Sequence, residues 1–100
     1  MPVEFHPAAS QELQAASVFY ESRQPGLGAE LLSELEDVCL LLSEYPALGR
    51  RVDDGHRGVP LRRFPFTLYY RIRRTNVLIV AVAHKRKRPG YWRQRVAGLA

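Results

Sequence analysis

Residues 77–83 are apolar at all seven positions, Val-Leu-Ile-Val-Ala-Val-Ala, and this run limits the possible folds more than any other feature. A strand with one face in water alternates apolar and polar residues, so an unbroken run indicates a strand covered on both faces. Crossing a bilayer takes about 20 apolar residues, which excludes a membrane span here. The run therefore predicts a central strand with protein packed against each face of its sheet.

The first half of the chain has the pattern of one short strand and two helices. Residues 2–6 alternate as in a strand, and Pro7 then suits the first turn of a helix over residues 8–23. A second helical pattern follows the break at residues 25–28 and is ended by Pro46. The two predicted apolar faces consist of Ala9, Leu13, Ala16 and Tyr20, and of Leu31, Leu35, Val38, Leu42 and Tyr45. The short break favours an antiparallel helical hairpin.

The second half changes to the two-residue period of strands. Residues 57–63 and 64–73 alternate and precede the apolar run, while residues 49–55 form a polar connection. Pro60 cannot donate to a ladder, so its strand should lie at an edge or carry a bulge. The pattern predicts an α+β fold in a single domain, residues 1–100. An N-terminal strand and an antiparallel helical hairpin pack on a mostly antiparallel sheet of about four strands, followed by a short C-terminal tail.

Charge is divided unevenly along the chain. Residues 1–49 hold eight acids and one base, a net charge of −7, whereas residues 50–100 hold fourteen bases and two acids, a net charge of +12. Since fields are screened within about 10 Å at ordinary salt, each half acts on partners separately. The acidic half forms the predicted helical layer, and the basic half forms the sheet and tail.

Several classes of function are disfavoured. The single cysteine, Cys39, excludes an internal disulfide and a cysteine-rich zinc site. His6, His56 and His84 are too scattered for a known metal-ligand spacing, and the chain has no glycine-rich phosphate loop. We therefore expect neither a metal nor a cofactor. The N-terminus lacks the basic region and apolar stretch of a secretory signal, so we expect a cytoplasmic location.

Arginines at predicted strand positions form the first candidate site. Arg57, Arg63, Arg71 and Arg73 lie at predicted strand positions in the basic half, and Thr67 and Tyr69 share a predicted face with Arg71 and Arg73. Guanidinium groups bind phosphate through two hydrogen bonds and stack on rings, which suits single-stranded nucleic acid. A solvated face and a surface for a protein partner explain the same pattern, and the sequence leaves the three open.

The second candidate site follows the apolar run. His84 ends that run, the bases Lys85, Arg86, Lys87 and Arg88 come next, and Tyr91 and Trp92 follow closely. Metal-independent RNA cleavage needs a base, a cation for the phosphorane charge and an acid. His84, Arg86 and Tyr91 could take these roles. A structural role for His84 and a packing role for Trp92 are the alternatives.

Taken together, short motifs along nearly the whole chain resemble the toxins of bacterial type II toxin–antitoxin modules, the RelE/ParE superfamily. The motifs are Phe5-His6-Pro7-Ala8-Ala9 with Glu12-Leu13, Phe19-Tyr20-Glu21, Gly26-Leu27-Gly28, Pro46 with Gly49-Arg50, Arg57, Leu61-Arg62-Arg63-Phe64-Pro65-Phe66, Leu68-Tyr69-Tyr70-Arg71-Ile72, and His84-Lys85-Arg86-Lys87-Arg88-Pro89-Gly90-Tyr91-Trp92 with Arg95. This superfamily includes the gyrase-poisoning ParE toxins and the ribosome-dependent mRNA interferases called RelE. The resemblance implies a growth-inhibiting toxin neutralised by a cognate antitoxin protein, and the basic half favours an acidic, partly apolar antitoxin.

The resemblance favours the ParE-like branch over the RelE-like branch. Arg86 matches the loop arginine of the interferases, and Tyr91 or Trp92 falls near their terminal aromatic residue. Thr67, however, stands where the resemblance implies a strand arginine, and Gly58 and Pro60 occupy the lysine positions. Loss of one such cation typically costs about 3 kcal/mol of transition-state stabilisation. The resemblance thus implies DNA gyrase as the target, reached by protein contact, with ribosome-bound mRNA as the alternative.

Overall fold

The computed structural model describes residues 1–97. Its strands are β1 (Val3–Phe5), β2 (Arg50–Arg51), β3 (Arg57–Pro60), β4 (Phe66–Ile72) and β5 (Val77–His84), and its helices are α1 (Pro7–Arg23) and α2 (Leu27–Glu44). Short 3-10 helices span Pro46–Leu48 and Tyr91–Val96, and the latter is called the C-terminal segment below. Within the described residues, neither α-helix is long and apolar enough to cross a membrane.

The sheet has the order β1-β5-β4-β3-β2. β1 runs parallel to β5 and the other neighbours are antiparallel, which confirms the predicted α+β fold with a mostly antiparallel sheet. The sheet has five strands rather than about four, because Arg50 and Arg51 pair with Gly58 and Arg57. Two polar residues carry no periodic signal, so the sequence indicated only a connection at that point.

The apolar run forms β5, next to the edge strand β1, and both of its faces are covered. Val77, Ile79 and Val82 pack against the helical layer, whereas Leu78, Val80, Ala81 and Ala83 lie on the other face with Trp92 and Val96 of the C-terminal segment. A bulge places Val80 and Ala81 on the same side, because Tyr70 pairs with Ile79 while Tyr69 pairs with Ala81. The prediction of a strand buried on both faces is confirmed.

Local interactions fix the helical hairpin. The His6 Nδ1 atom accepts the Ala8 amide at 3.0 Å before α1, and Glu21 accepts the Gly26 and Gly28 amides at 2.8 and 3.0 Å at the start of α2. The helices pack so closely that a Cβ at Gly28 would lie 2.6 Å from the Ser17 carbonyl oxygen. Tyr45, predicted on the buried face, is 59% exposed because α2 ends at Glu44 and the chain turns before Pro46.

Strand β3 is shorter than predicted, ending at Pro60 rather than at residue 63. Because β2 pairs only with Arg57 and Gly58, Pro60 lies where β3 is itself the edge of the sheet. Arg63 and Arg73 were predicted at strand positions, and that placement is wrong since both lie in loops.

Tyr70 links the sheet to the connection after α2, and Tyr70→Phe should lower the free energy of unfolding by about 2 kcal/mol. The buried hydroxyl donates to the Pro46 carbonyl at 2.6 Å and accepts the Gly49 amide at 2.8 Å. Phenylalanine keeps the ring but leaves both backbone groups without this partner. Urea unfolding would measure the loss, with Tyr45→Phe as a control on an exposed tyrosine. Equal stability of the two variants would contradict the assignment.

Candidate functional site

Two of the predicted surface arginines contact the chain's own helical side. Arg57 donates to the carbonyl oxygens of Ala47 and Gly49 at 3.2 and 2.9 Å, which holds the connection that follows α2. The Arg63 Nη2 atom lies 2.6 Å from a Glu30 carboxylate oxygen of α2. The four arginines predicted on strands therefore do not form one exposed face.

The other two arginines lie together at the β4–β5 turn. Arg71 ends near the turn, Arg73 and Arg74 form part of it, and we call these three residues the turn cluster. Among residues 1–97, none of the three takes part in an ion pair. The turn cluster is thus a concentration of positive charge that the described fold leaves available to a partner.

A second basic group follows β5 at the opposite end of the same hairpin. Lys85, Arg86, Lys87 and Arg88 are all exposed, and we call them the loop cluster. The eight residues of β5 separate the two clusters, a length of about 25 Å at 3.3 Å per residue. Two positive surfaces at this distance can contact different partners or different parts of one large partner.

The side chain of His84 is committed to its own loop. Its Nδ1 atom accepts the Arg86 amide at 3.0 Å, and its ring packs edge-on against Phe66, with centroids 5.1 Å apart. An accepting Nδ1 means that the neutral ring carries its proton on Nε2. The lone pair that a general base needs is therefore already used within the loop.

Tyr91 is turned towards helix α1 and held there. Its hydroxyl donates to a Glu12 carboxylate oxygen at 2.5 Å, and Arg95 binds the same carboxylate with two nitrogens at 3.0 and 3.2 Å. Burial, together with this hydrogen bond to Glu12, raises the pKa of the Tyr91 hydroxyl. A hydroxyl that already donates its proton to this carboxylate has none to offer to a second acceptor, so the geometry disfavours Tyr91 as a proton donor to RNA.

Trp92 anchors the C-terminal segment. Its ring is 1% exposed, stacks on Tyr69 with centroids 4.8 Å apart, and meets His56 edge-on at 4.7 Å. The neighbouring Arg93 Nε atom bonds Asp53 at 3.0 Å. Trp92 therefore has the packing role that the sequence analysis gave as an alternative. Its buried ring offers little contact surface to a partner.

An apolar groove runs between α1 and the end of β5. It has a volume of about 450 Å³ and is lined mainly by Ala15, Ala16, Phe19, Tyr20, Phe66 and Val82, with Glu12, His84, Lys87 and Tyr91 at its polar side. Phe19 is 49% exposed at its rim. We call it the α1–β5 groove. Lys87 belongs both to this groove and to the loop cluster, so an apolar surface and a basic surface meet there.

The matching family model is described as "ParE toxin of type II toxin-antitoxin system, parDE", and it covers residues 3–89. This chain belongs to the ParE toxin family. It is the toxin component of a type II toxin–antitoxin system. Among curated proteins, no sequence is significantly similar to it.

A solved structure described as "Chromosomal ParDE TA system from P. aeruginosa" has the same fold. It superposes with a TM-score of 0.63 at 19% sequence identity, over 84% of this chain and 95% of that chain. At this identity the likeness concerns the fold alone. The family match contains both basic clusters, but it ends before Tyr91, Trp92 and Arg95.

Two acidic residues of this ParE-family chain matter to the site and were not predicted as site residues, although Glu12 belongs to one of the motifs that carry the family resemblance. Glu12 joins α1 to β5 and to the C-terminal segment, and Asp53 joins the β2–β3 loop to Arg93. The sequence pattern placed Glu12 on the outer face of a helix and Asp53 in a polar loop. Glu12 and Asp53 have arginine partners 83 and 40 residues away in the chain, so the sequence indicated only a complementary charge, although Asp53 also contacts His56 three residues away. Among residues 1–97, no group of His, Cys, Asp or Glu side chains could hold a metal ion.

The Asp53 contacts predict a pH-dependent contribution to stability. Burial alone would raise the pKa of this carboxyl, but hydrogen bonds from Gly55, Arg93 and His56 together lower it from 3.8 to about 2. A lowered pKa in the folded state stabilises the protein above the unfolded value, and this contribution is lost as the pH falls through the folded value. Wild type should therefore be more stable than Asp53→Asn above pH 4, and the difference should shrink between about pH 4 and pH 2.

Thermal unfolding of both proteins over this range would measure the difference. Asp54→Asn is the control, since Asp54 is exposed and its contact with Arg51 is long, at 3.7 Å. A difference between wild type and Asp53→Asn that did not change with pH would contradict the linkage.

Proposed function

We propose that the toxin inhibits DNA gyrase by protein contact and carries out no chemistry on RNA. The observation that carries this proposal is the hydrogen bond that the Tyr91 hydroxyl donates to Glu12 of α1, while the Tyr91 ring lies beside Lys87 of the loop cluster. His84 likewise has its Nδ1 lone pair engaged by the Arg86 amide. A proton donor and a proton acceptor are thus both engaged within the fold, while positive surfaces remain open for binding.

The target contact proposed here is the turn cluster, with the loop cluster as a second basic surface. Arginine forks bind carboxylates through two hydrogen bonds, and complementary charge accelerates association. Since Arg57 and Arg63 bind their own chain, and Trp92 is buried, we do not include them in the contact. A gyrase target also implies a cytoplasmic location.

The proposed antitoxin contact is the α1–β5 groove together with the loop cluster. The groove would take an apolar face of the antitoxin, and Lys85, Lys87 and Arg88 would pair with acidic residues beside that face. The antitoxin would then cover one end of the β4–β5 hairpin and leave the turn cluster about 25 Å away. Because the loop cluster is also the second target surface, a bound antitoxin would block part of the gyrase contact, whereas mutation of the turn cluster would affect the gyrase contact alone.

Alanine at Arg71, Arg73 and Arg74 should raise the concentration that half-inhibits purified gyrase by about tenfold, because each contact is worth about 0.5 kcal/mol or more. The same variant should bind antitoxin as the wild type does. Alanine at Lys85, Lys87 and Arg88 should weaken antitoxin binding. The control replaces Arg50, Arg51 and Arg62, three exposed arginines outside both clusters and outside the α1–β5 groove. Gyrase supercoiling assays and titration with the product of the adjacent gene measure the two effects.

RelE-like cleavage of ribosome-bound mRNA is the competing function, and the exposed position of Arg86 beside His84 favours it. Induction of the toxin, followed by mapping of mRNA ends on translating ribosomes, distinguishes the two. If gyrase activity is unchanged and mRNA is cleaved, and if Arg86→Ala abolishes that cleavage, the RelE-like function would replace the gyrase proposal. Unchanged gyrase without cleavage would also reject it.

A further inference from the structure

Strand β1 has an outer edge with free backbone groups. The amide of Val77 donates to the Pro2 carbonyl and the amide of His6 donates to the Ile79 carbonyl. The hydrogen bonds to β5 are therefore made by the even-numbered residues in and beside β1. The amide and carbonyl groups of Val3 and Phe5 therefore point away from β5. β1 is the last strand on this side of the described sheet, and no other strand there pairs with these groups. Such an edge can accept an additional strand.

An apolar groove lies beside this edge, between β1 and α2. It has a volume of about 510 Å³ and is lined by Val3, Phe5, Leu13, Leu32, Leu35, Glu36, Cys39, Leu40 and Ser43. Leu32 and Leu40 are 40% and 67% exposed. We call it the β1–α2 groove. A strand added to β1 would place every second side chain on the helical side of the sheet, next to Leu32 and Leu40.

The charges around this groove select the occupant. Glu36 forms part of its wall, and the exposed side chain of Glu4 belongs to the opposite face of β1, where the alternate side chains of an added strand would lie. Asp37 and Glu44 add further negative charge on α2. Pairing β1 with β1 of a second copy would bring these acids together, which opposes self-association through this edge.

We infer that the β1–α2 groove binds an extended segment of a partner protein in which apolar residues alternate with lysine or arginine. The apolar side chains enter the groove, the basic ones face Glu4, and the segment's backbone pairs with Val3 and Phe5. This site shares no lining residue with the α1–β5 groove, and it selects the opposite charge. It is therefore a second docking surface, whose existence does not depend on the proposed gyrase or antitoxin contacts.

The probe is the synthetic heptapeptide acetyl-Lys-Val-Lys-Leu-Lys-Val-Lys-amide, added to the isotope-labelled full chain. The expected result is slower hydrogen exchange at the Val3 and Phe5 amides, with shifted signals from Leu32 and Leu40. A matched peptide with glutamate in place of lysine should bind at least about tenfold more weakly. Lack of binding, or binding that leaves the Val3 and Phe5 amides unprotected, would overturn the inference.

Two variants test the site from its two sides. Val3→Pro removes an amide that points outward and leaves the ladder to β5 intact, so peptide affinity should fall about tenfold while the fold is kept. Leu40→Lys removes an apolar wall and adds a repelling charge, with a loss of similar size. Its control is Val18→Lys, which makes the same charge change on the exposed α1 position, 64% accessible. Equal effects of Leu40→Lys and Val18→Lys would mean that the peptide is bound by overall charge and not by the β1–α2 groove, and this result would reject the inference.

Discussion

Replacing Trp92 with alanine should lower the free energy of unfolding by about 4 kcal/mol, the largest effect we expect from one substitution in this chain. The ring is 1% exposed and lies on the face of β5 opposite the helices, together with Leu78, Val80 and Val96. Truncation removes its stacking on Tyr69 and leaves a cavity above the sheet. That face of the central strand would then be open to water.

Urea unfolding measures the loss, and Trp92→Phe provides a graded comparison. Phenylalanine keeps an aromatic ring over Tyr69, so its cost should be about 1–2 kcal/mol. The exposed Gln94→Ala serves as a control for the outer side of the same segment. A change below about 1 kcal/mol in Trp92→Ala would mean that the C-terminal segment does not cover the sheet in solution.

The second large effect is expected at Glu12, where alanine should cost about 3 kcal/mol. Its carboxylate accepts the Val82 amide at 3.0 Å, the Tyr91 hydroxyl at 2.5 Å and two nitrogens of Arg95. Strand β1 pairs with β5 only as far as Ile79, so the edge of β5 beyond Ile79 has no neighbouring strand. Glu12 and Arg95 occupy this edge, and Arg95 also donates to the Val80 carbonyl at 3.1 Å. Removing Glu12 leaves a largely buried guanidinium and two hydrogen-bond donors without this partner.

A double-mutant cycle between Glu12→Ala and Arg95→Ala would isolate the ion pair, with an expected coupling of about 1–2 kcal/mol. Ultraviolet titration gives an independent measurement. Because the hydrogen bond to Glu12 raises the pKa of the Tyr91 hydroxyl, phenolate should form at lower pH in Glu12→Ala than in wild type. Glu12→Gln keeps acceptor oxygen without charge and should fall between the two. An unchanged tyrosine titration in Glu12→Ala would contradict the contact.

Much of the fold could be predicted because its signals are local. The two-sided burial of residues 77–83, the helical spacings that end near Arg23 and Pro46, and the edge position of Pro60 all follow from periodicity and backbone chemistry. β2 escaped prediction, since two polar residues have no period. The bulge in β5 could not be predicted either. A bulge changes which face each later residue of the strand lies on, but every residue of the run is apolar, so the sequence pattern is the same with or without it.

The candidate site could be predicted only in part. The positions of the loop cluster and of Trp92 followed from the order of elements, but the contacts of Arg57 and Arg63 did not. A guanidinium group reaches several ångströms in any direction, so sequence position alone does not say whether it meets water, a partner or its own chain. The same freedom concealed the link from Glu12 to Arg95, 83 residues away.

The apolar run of residues 77–83 determined by itself that this protein contains a central strand between two covering layers, since burial on both faces is the state in which seven consecutive apolar residues are shielded from water. The sequence also predicted that the helical hairpin packs on the sheet, but it left open whether Trp92 packs on the sheet or contacts a partner. The tertiary structure decided that the C-terminal segment, anchored by Trp92, covers the face opposite the helical hairpin. It also decided that Tyr91 faces Glu12. Both outcomes depend on contacts between residues far apart in the chain, and such contacts have no local period.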